Sequence, residues 1–539
     1  MWSSEEGVGN VAEAHELLAQ VASDEWGHVA ASLYDTARLV ALSPWLSGHR
    51  ERLEFLCRRQ RFDGGWGGPD GYAVVPTLSA TIAMMVQPNR EGPERERERL
   101  ARAAKDGLHV LRHWLDPQTG LAIPDTIGVE LIIPAMVEEL NELLRQTDQL
   151  GSQLPLPQGF ERRQLEGMRA RFDSGGLPQR SWACLEVFGK AAIGAPFVRP
   201  VGGAVGCSAA ATAAWLGGPD GYRPGVQFLE TLQARGGGPV PGVTPITYFE
   251  RAWVLNSLAI GGIAYTAPVE VLDRLEAGLT PQGAPAAGGL PADADDTAAV
   301  LAALLRHGRV NAPESLLSYQ VDGRFACFLD ERNPSVSTNA HALEALALYM
   351  AYRPNDGARF ADLAATTARW LLDSQEPEGN WWDKWHASAY YATMCCVIAL
   401  VLNDSAESYA GVDRAVDWIL QTQRAEGSWG RWQGTVEETS YAVQILAIAK
   451  SGELTERTAS AIKRGCAFLA DPPPLAEHPP LWHAKDLYLP VAVVRAARLA
   501  ALRMGELNDV GAKASAATLA DAGWLSPEVA ESGARRPLA

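Results

Sequence analysis

Gln375-Glu376-Pro377-Glu378-Gly379-Asn380-Trp381 is the stretch that decides the fold of this chain, because its spacing of glutamine, glycine and an aromatic residue returns elsewhere. Further copies are Gln60-Gly64-Trp66, Gln320-Gly323-Phe325 and Gln423-Gly427-Trp429, and a degenerate one, Gln233-Gly236-Gly238, has lost the aromatic residue. Recurrence of this kind marks one supersecondary unit used repeatedly. Each copy follows an apolar-periodic segment such as Val412 to Leu420, so the glycine falls where a helix must stop and the chain turn. The tryptophan then packs back on its neighbours. The glutamine can hydrogen-bond exposed helix-end groups, which makes each repeat a clamp between consecutive helices. That role is structural, and no catalytic part is assigned to these residues. Repeated helix hairpins close into an α/α barrel or extend as a solenoid, so the expected fold class is all-α.

At 539 residues the chain is too long for one ordinary core and implies two large domains, with room between or within them for a sizeable cavity. A 47% apolar content and 17 tryptophans describe a packed helical protein rather than a disordered one. The net charge of −17 argues against a nucleic-acid partner, which would need a basic face to meet phosphates. Seven scattered cysteines (Cys57, Cys184, Cys207, Cys327, Cys395, Cys396, Cys466) lack metal-site spacing and fit a reducing compartment. Met1-Trp2-Ser3-Ser4-Glu5-Glu6 has neither a basic nor an apolar leader region, and no later stretch is long enough to span a bilayer, so a cytoplasmic location is expected. Residues 506–539 read as a loose tail.

The chemistry is concentrated in Asp293-Ala294-Asp295-Asp296-Thr297-Ala298, three carboxylates within four residues. Like charges crowded together and partly removed from water push a proton back onto the group, leaving one carboxylic acid neutral near pH 7 and able to donate. An Asp-rich helix start is the plain alternative, since Asp favours N-caps and first turns. Val300, Leu301, Leu304 and Leu305 form an apolar stripe on the helix that begins near Thr297, which anchors the acid at a helix N-terminus.

With these motifs in view, the chain resembles the class II terpene cyclases, most closely the bacterial diterpene cyclases of the copalyl diphosphate synthase type. The resemblance covers roughly residues 30 to 490. Asp293 to Thr297 matches the Asp-x-Asp-Asp-Thr signature, and the repeats resemble those shared with squalene-hopene cyclases. Ser32-Leu33-Tyr34-Asp35-Thr36-Ala37, Phe249-Glu250-Arg251-Ala252-Trp253-Val254, Ser337-Thr338-Asn339, Asp383-Lys384-Trp385-His386 with Tyr390-Tyr391, Glu437-Glu438-Thr439 with Tyr441, and Trp482 to Tyr488 follow in family order. Arg38 stands where Trp is usual, and Cys207-Ser208-Ala209-Ala210-Ala211-Thr212 lacks a common Pro.

The resemblance implies two α/α barrels with the active site at their interface. An N-terminal helix (1–25) would join the second barrel (258–505), and residues 26–257 would form an inserted barrel. It implies that Asp295 protonates the terminal alkene of a prenyl diphosphate, that Asp293 and Asp296 keep the shared proton in place, and that Asn339 bonds the acid; an N-cap is the alternative for Asn339. Trp253, Trp385, Tyr390, Tyr391 and Tyr441 are candidates to face the carbocation, with core packing as the alternative for each. Asp125 and Glu130 resemble the family's acidic Mg²⁺/diphosphate motif, an adequate ligand pair because Mg²⁺ takes few carboxylates beside phosphate oxygens and water. Lys384 is a candidate phosphate contact, with a surface ion pair as its alternative, and Arg251 a weaker one.

The chain lacks the Asp-Asp-x-x-Asp motif of ionising terpene synthases, so the diphosphate is expected to survive. The expected reaction is cyclisation of geranylgeranyl diphosphate to a bicyclic labdane- or halimane-type diphosphate. A farnesyl diphosphate cyclase, a squalene-type cyclase, a noncatalytic α/α scaffold and a carbohydrate-active α/α barrel stand as alternatives. Neither the terminating base nor the oligomeric state is legible.

Overall fold

The computed structural model describes residues 4–86, 94–146, 153–329, 331–449 and 455–509. Two rings of helices account for nearly all of it. In the first, the inner wall is formed by α2 (Leu33–Leu42), α4 (Val74–Val86), α6 (Val129–Gln146), a 3₁₀ segment (Gln179–Ala192) and α8 (Ala209–Leu216), which closes back on α2. Outside it lie α3 (His49–Arg59), α5 (Glu94–Trp114), α7 (Arg162–Asp173) and α9 (Arg223–Arg235). In the second, α10 (Thr247–Ile260), α12 (Ala294–Arg306), α13 (Val336–Tyr352), α16 (Ala389–Asn403), α18 (Val436–Ile448) and α20 (Val491–Asp509) touch in that order and close on α10. Its outer layer is α11 (Val269–Gly278), the short α14 (Pro354–Gly357), α15 (Ala361–Asp373), α17 (Ala406–Thr422) and α19 (Glu456–Ala470), with α1 (Ser4–Ser23) against α20 and α10.

The repeats build this layering. In three copies the glutamine amide donates twice, to its own glycine carbonyl and to a carbonyl of the next outer helix: Gln375 Nε2 reaches Gly379 O at 2.7 Å and Gly411 O at 2.9 Å. Gln60 and Gln423 repeat the pattern on Ala103 and Ala461. The tryptophans are fully buried, and each indole N–H donates to the preceding outer helix, as Trp381 Nε1 does to Leu371 O at 2.7 Å. Its backbone N–H donates to an inner-helix threonine, Thr393, at 3.0 Å. One motif thus ties two outer helices to one inner helix. Gly379 sits at φ +105°, and a Cβ there would lie 2.3 Å from Arg414 O, so glycine is required on both counts. The Gln320 copy differs, forming a hairpin of β1 (Gln320–Val321) and β2 (Arg324–Phe325).

Because every inner helix returns through an outer one, the inner helices of the second barrel start at the same end, capped by Asp293, Ser335, Ser388 and Thr435. The boundary expected at 257 would cut α10 in two. Phe249, Ala252, Trp253 and Leu255 all belong to the second barrel's core, so the division falls before Thr247. The expected loose tail overlaps the end of α20 through Asp509, and the rest of it lies outside the described residues.

A second hairpin, β3 (Trp482–His483) and β4 (Leu487–Tyr488), crosses from the second barrel into the first. At its tip Ala484 O accepts from Ile127 N at 3.0 Å. Lys485 Nζ is buried between Asp35 (3.2 Å) and Glu186 (2.9 Å), and donates to Ser208 Oγ at 2.7 Å. Asp486 accepts from Ser32 Oγ and from Tyr34 N. Among the described residues no helix is long and apolar enough to cross a membrane.

Candidate active site

Asp293 is the N-cap of α12, its carboxylate accepting from Asp296 N at 2.8 Å. Burial, and then the charge of Asp295, push the Asp293 carboxyl up to about 7. Asp296 is held well above the carboxylate range by burial, by the neighbouring Asp293 charge and by the side-chain hydrogen bond the two share. One Asp296 oxygen, Oδ1, is buried without a hydrogen-bond partner among the described residues. Burial and mutual charge therefore favour a proton shared by the Asp293–Asp296 pair, as expected for like charges in a dry site.

Asp295 differs from both. It keeps 15% side-chain exposure, and its Oδ1 lies 2.9 Å from Nδ1 of His341 on α13. Burial alone would lower the His341 pKa; the Cys395 thiol and the Asp295 carboxyl beside it outweigh that and hold it well above its usual value. A protonated imidazole donating to one oxygen stabilises the carboxylate left when the other oxygen gives up its proton. Asn339, expected as the acid's partner, does not reach it. Its amide instead clasps β2, accepting from Phe325 N at 2.7 Å and donating to Phe325 O and Ser335 O at 2.8 Å. The helix N-cap is Ser335.

A cavity of about 350 Å³ runs between the barrels, with Asp295 in its wall and Asp125 and Glu130 from the inserted barrel also lining it. Phe249, Trp385, Trp482 and Tyr488 supply aromatic surface. Trp482 is central to a larger cluster, its ring 4.6 Å from Tyr391 and 5.2 Å edge-on from Phe249. Trp253 donates to the Tyr391 hydroxyl at 2.9 Å and meets the His341 ring edge-on at 5.3 Å. Trp253, Tyr391 and Tyr441 thus back the cavity wall, and Trp385 lines it. Tyr390 does not join them: it packs on Trp418 of outer helix α17 at 4.6 Å, which makes it core.

The two acidic residues of the inserted barrel converge on one cation from the other barrel. Arg332 Nη2 lies 2.7 Å from Asp125 Oδ1 and 3.5 Å from Glu130 Oε2, and Asn333 Nδ2 donates to Asp125 Oδ2 at 2.7 Å. Asp125 and Glu130 are hard oxygen donors of the type Mg²⁺ takes, and Arg332 engages both. Among the described residues no group of three or more His, Cys, Asp or Glu could hold a metal, so the remaining ligands would be phosphate oxygens and water. Lys384 lines the same end, bonded to Glu331 and donating to Asn333 O at 2.9 Å. Arg251 is elsewhere, buried against α1 with its guanidinium donating to Val21 O and Asp24 O, so it is no phosphate contact.

Sequence reasoning missed His341 and Arg332. His341 is two residues beyond Asn339 on a helix buried on all sides, where periodicity cannot select a face. Arg332 becomes relevant only when the two barrels meet.

Residues 325–471 match the family model described as the squalene-hopene cyclase C-terminal domain. The chain is 42% identical over 499 residues, 91% of its own length and 95% of the relative's, to the ent-copalyl diphosphate synthase of Streptomyces sp. (strain KO-3988). It is 37% identical over 517 residues, 92% of each chain, to the labda-7,13-dienyl diphosphate synthase of Streptomyces clavuligerus. Among solved structures, ent-copalyl diphosphate synthase from Streptomyces platensis superposes with a TM-score of 0.89 at 49% identity, covering 92% of this chain and 100% of that one. Similarity of that extent over both barrels makes this chain a member of the bacterial class II diterpene cyclases.

Proposed function

We propose that the protein cyclises geranylgeranyl diphosphate to a bicyclic diterpenyl diphosphate by protonation, with the diphosphate retained. The observation that carries this reading is that three carboxyls, Asp293, Asp295 and Asp296, line the interdomain cavity, and among the described residues Asp295 is the one of the three that bonds a histidine, His341 Nδ1 at 2.9 Å. Asp295 gives its proton to the terminal alkene. The alkene's π electrons form the new C–H bond, the cation left behind is attacked by the next double bond, and a second closure follows. Loss of a C–H proton then forms the product alkene, so substrate and product are isomers.

An isolated alkene is a very weak base, and two features meet that demand. Burial and mutual charge keep a proton within the Asp293–Asp296 pair beside Asp295, as like charges in a dry site require. His341 then lowers the energy of the Asp295 carboxylate as it forms. The cation is shielded by Phe249, Trp385, Trp482 and Tyr488, whose faces attract positive charge without offering a strong nucleophile.

At the other end, Asp125 and Glu130 would hold Mg²⁺, which neutralises diphosphate charge when bound. Lys384 and Arg332, now paired with Glu331 and with Asp125 and Glu130, line the same end and are the side chains to exchange those partners for phosphate oxygens. Anchoring the head group there positions the polyene with its tail toward Asp295. The test incubates purified protein and Mg²⁺ with geranylgeranyl or farnesyl diphosphate, dephosphorylates and analyses the alcohols. A bicyclic C20 alcohol is expected. Linear alcohols alone overturn the reading, and a bicyclic product only from the C15 substrate overturns its choice of chain length.

A further inference from the structure

We propose that Glu437 is a positioning residue which, through Trp482, fixes where positive charge settles in the cavity and so decides which product leaves; the inference rests on the cyclisation reading above. Glu437 lies in the first turn of α18 and is 3% exposed. One of its oxygens, Oε1, collects three donors from three separate segments: Trp482 Nε1 at 2.7 Å, Tyr441 OH at 3.0 Å and His386 Nε2 at 3.1 Å. His386 Nδ1 lies 3.1 Å from both the amide nitrogen and the carbonyl oxygen of Ser388, and its Nε2 faces Glu437. Two of the three donors, the indole and the phenol, are neutral. Among the described residues no lysine or arginine pairs with Glu437, and the other ionisable side chain in its turn, Glu438, turns to Ser388 and Thr435.

The helix N-terminus makes a carboxylate tolerable here, but it does not explain why three aromatic donors converge on one oxygen. Their arrangement does. Trp482 lines the cavity that also holds Asp295, and its neighbours Tyr391 and His386 stand 4.6 and 5.2 Å from its ring. A carboxylate accepting from an indole N–H draws that hydrogen outward and raises electron density on the ring face, where a cation is attracted. The indole also separates the carboxylate from the cavity. The anion thus stabilises a cation across the ring without capturing it; the indole bond orients that ring, and the bonds from Tyr441 and His386 fix the carboxylate.

Glu437→Gln keeps the volume and an acceptor oxygen but removes the charge. Its kcat should fall at least about 10-fold with KM within about twofold, the split expected when a group acts only as charge develops. The products should gain monocyclic or hydroxylated species from early termination. In a Trp482→Phe background the same substitution should shift kcat by less than about threefold, because the effect runs through the indole. A folded Glu437→Gln variant with wild-type kcat and a single wild-type product overturns the proposal, as do additive effects of the two substitutions. Should the variant not fold, the wild-type Trp482 indole proton, assigned by its loss in Trp482→Phe, decides. A downfield, charge-assisted resonance supports the proposal and an ordinary indole position overturns it. A wild-type protein that makes no bicyclic product overturns the cyclisation reading and this inference with it; an unaltered Gln variant of an active cyclase overturns this inference alone.

Discussion

Replacing His341 by phenylalanine isolates the bond on which the acid depends. A phenyl ring can keep the edge-on contact with Trp253 at 5.3 Å and the approach to Tyr391 at 6.4 Å, so packing loss is small and the principal change is the missing donor at 2.9 Å from Asp295 Oδ1. A hydrogen bond to a charged group contributes about 1.5–3 kcal/mol, and it acts mainly after proton transfer has begun, so kcat should fall about 10- to 150-fold. KM should change little, because the diphosphate end is untouched. Steady-state turnover of geranylgeranyl diphosphate, read as dephosphorylated product, measures both constants. The pH profile adds a second reading. Cys395 and Asp295 outweigh burial in keeping His341 charged well beyond its usual range, so wild-type kcat should decline on the alkaline side as that proton leaves, and His341→Phe should lack this limb. A variant whose kcat stays within about threefold of wild type between about pH 6 and 9 would refute the assignment of His341 as the group that strengthens the acid.

Other expectations follow from the same geometry. Asp295→Asn should lower kcat by about 10³-fold or more while the far-UV CD spectrum and melting temperature remain those of the wild type. Asp125→Ala should raise the Mg²⁺ concentration needed for half-maximal turnover about tenfold, and unchanged metal dependence would remove Asp125 from that role. Gln375→Ala loses the two bonds its amide donates, one within the repeat to Gly379 O and one to Gly411 O of α17, costing about 1–3 kcal/mol, seen as a lower melting temperature without loss of kcat in the remaining folded protein. Burial, reinforced by Asp24, raises Glu250 from 4.5 to about 7. The folded state therefore holds a proton that the unfolded chain has released. The stabilisation is complete below pH 4.5 and disappears as pH rises to about 7, a change of about 3 kcal/mol. Glu250→Gln should accordingly flatten the decline in melting temperature across that window, and an unchanged slope would contradict it.

The repeats and the aspartate run were legible because each is a local device: a glycine at a forced backbone angle, a tryptophan ten residues from the carbonyl it bonds, an N-cap three residues from the N–H it satisfies. Choices of helix face were harder. Tyr390 and Tyr391 are neighbours in an inner helix buried on nearly every side, so hydrophobic period says nothing about which points outward to Trp418 and which inward to Trp482. The same ambiguity exchanged Asn339 for His341. Asn339 turned toward β2, a hairpin made by the one repeat that departs from the helical pattern. The boundary at 257 came from the resemblance, and nothing local corrects it, because the packing partners of α10, α12 and α20, are far along the chain. Arg251 is a cation by type, but its partners are the carbonyls of Val21 in α1 and of Asp24 just after it, more than two hundred residues earlier.

The Lys485 hairpin tip limits how such enzymes can be recombined. Among the described residues, a lysine from the C-terminal barrel pairs with Asp35 and Glu186 of the inserted one, with Asp486 reaching back to Ser32 and Tyr34. Grafting a foreign inserted barrel that lacks these acids would strand the ammonium in a dry pocket, a defect costing about 3–5 kcal/mol. It would also displace Trp482 and Tyr488, which the same hairpin presents to the cavity. Chimeras that exchange head-group preference between relatives should therefore carry the residue 482–488 segment together with the barrel it enters, treating the pair as one inheritable part.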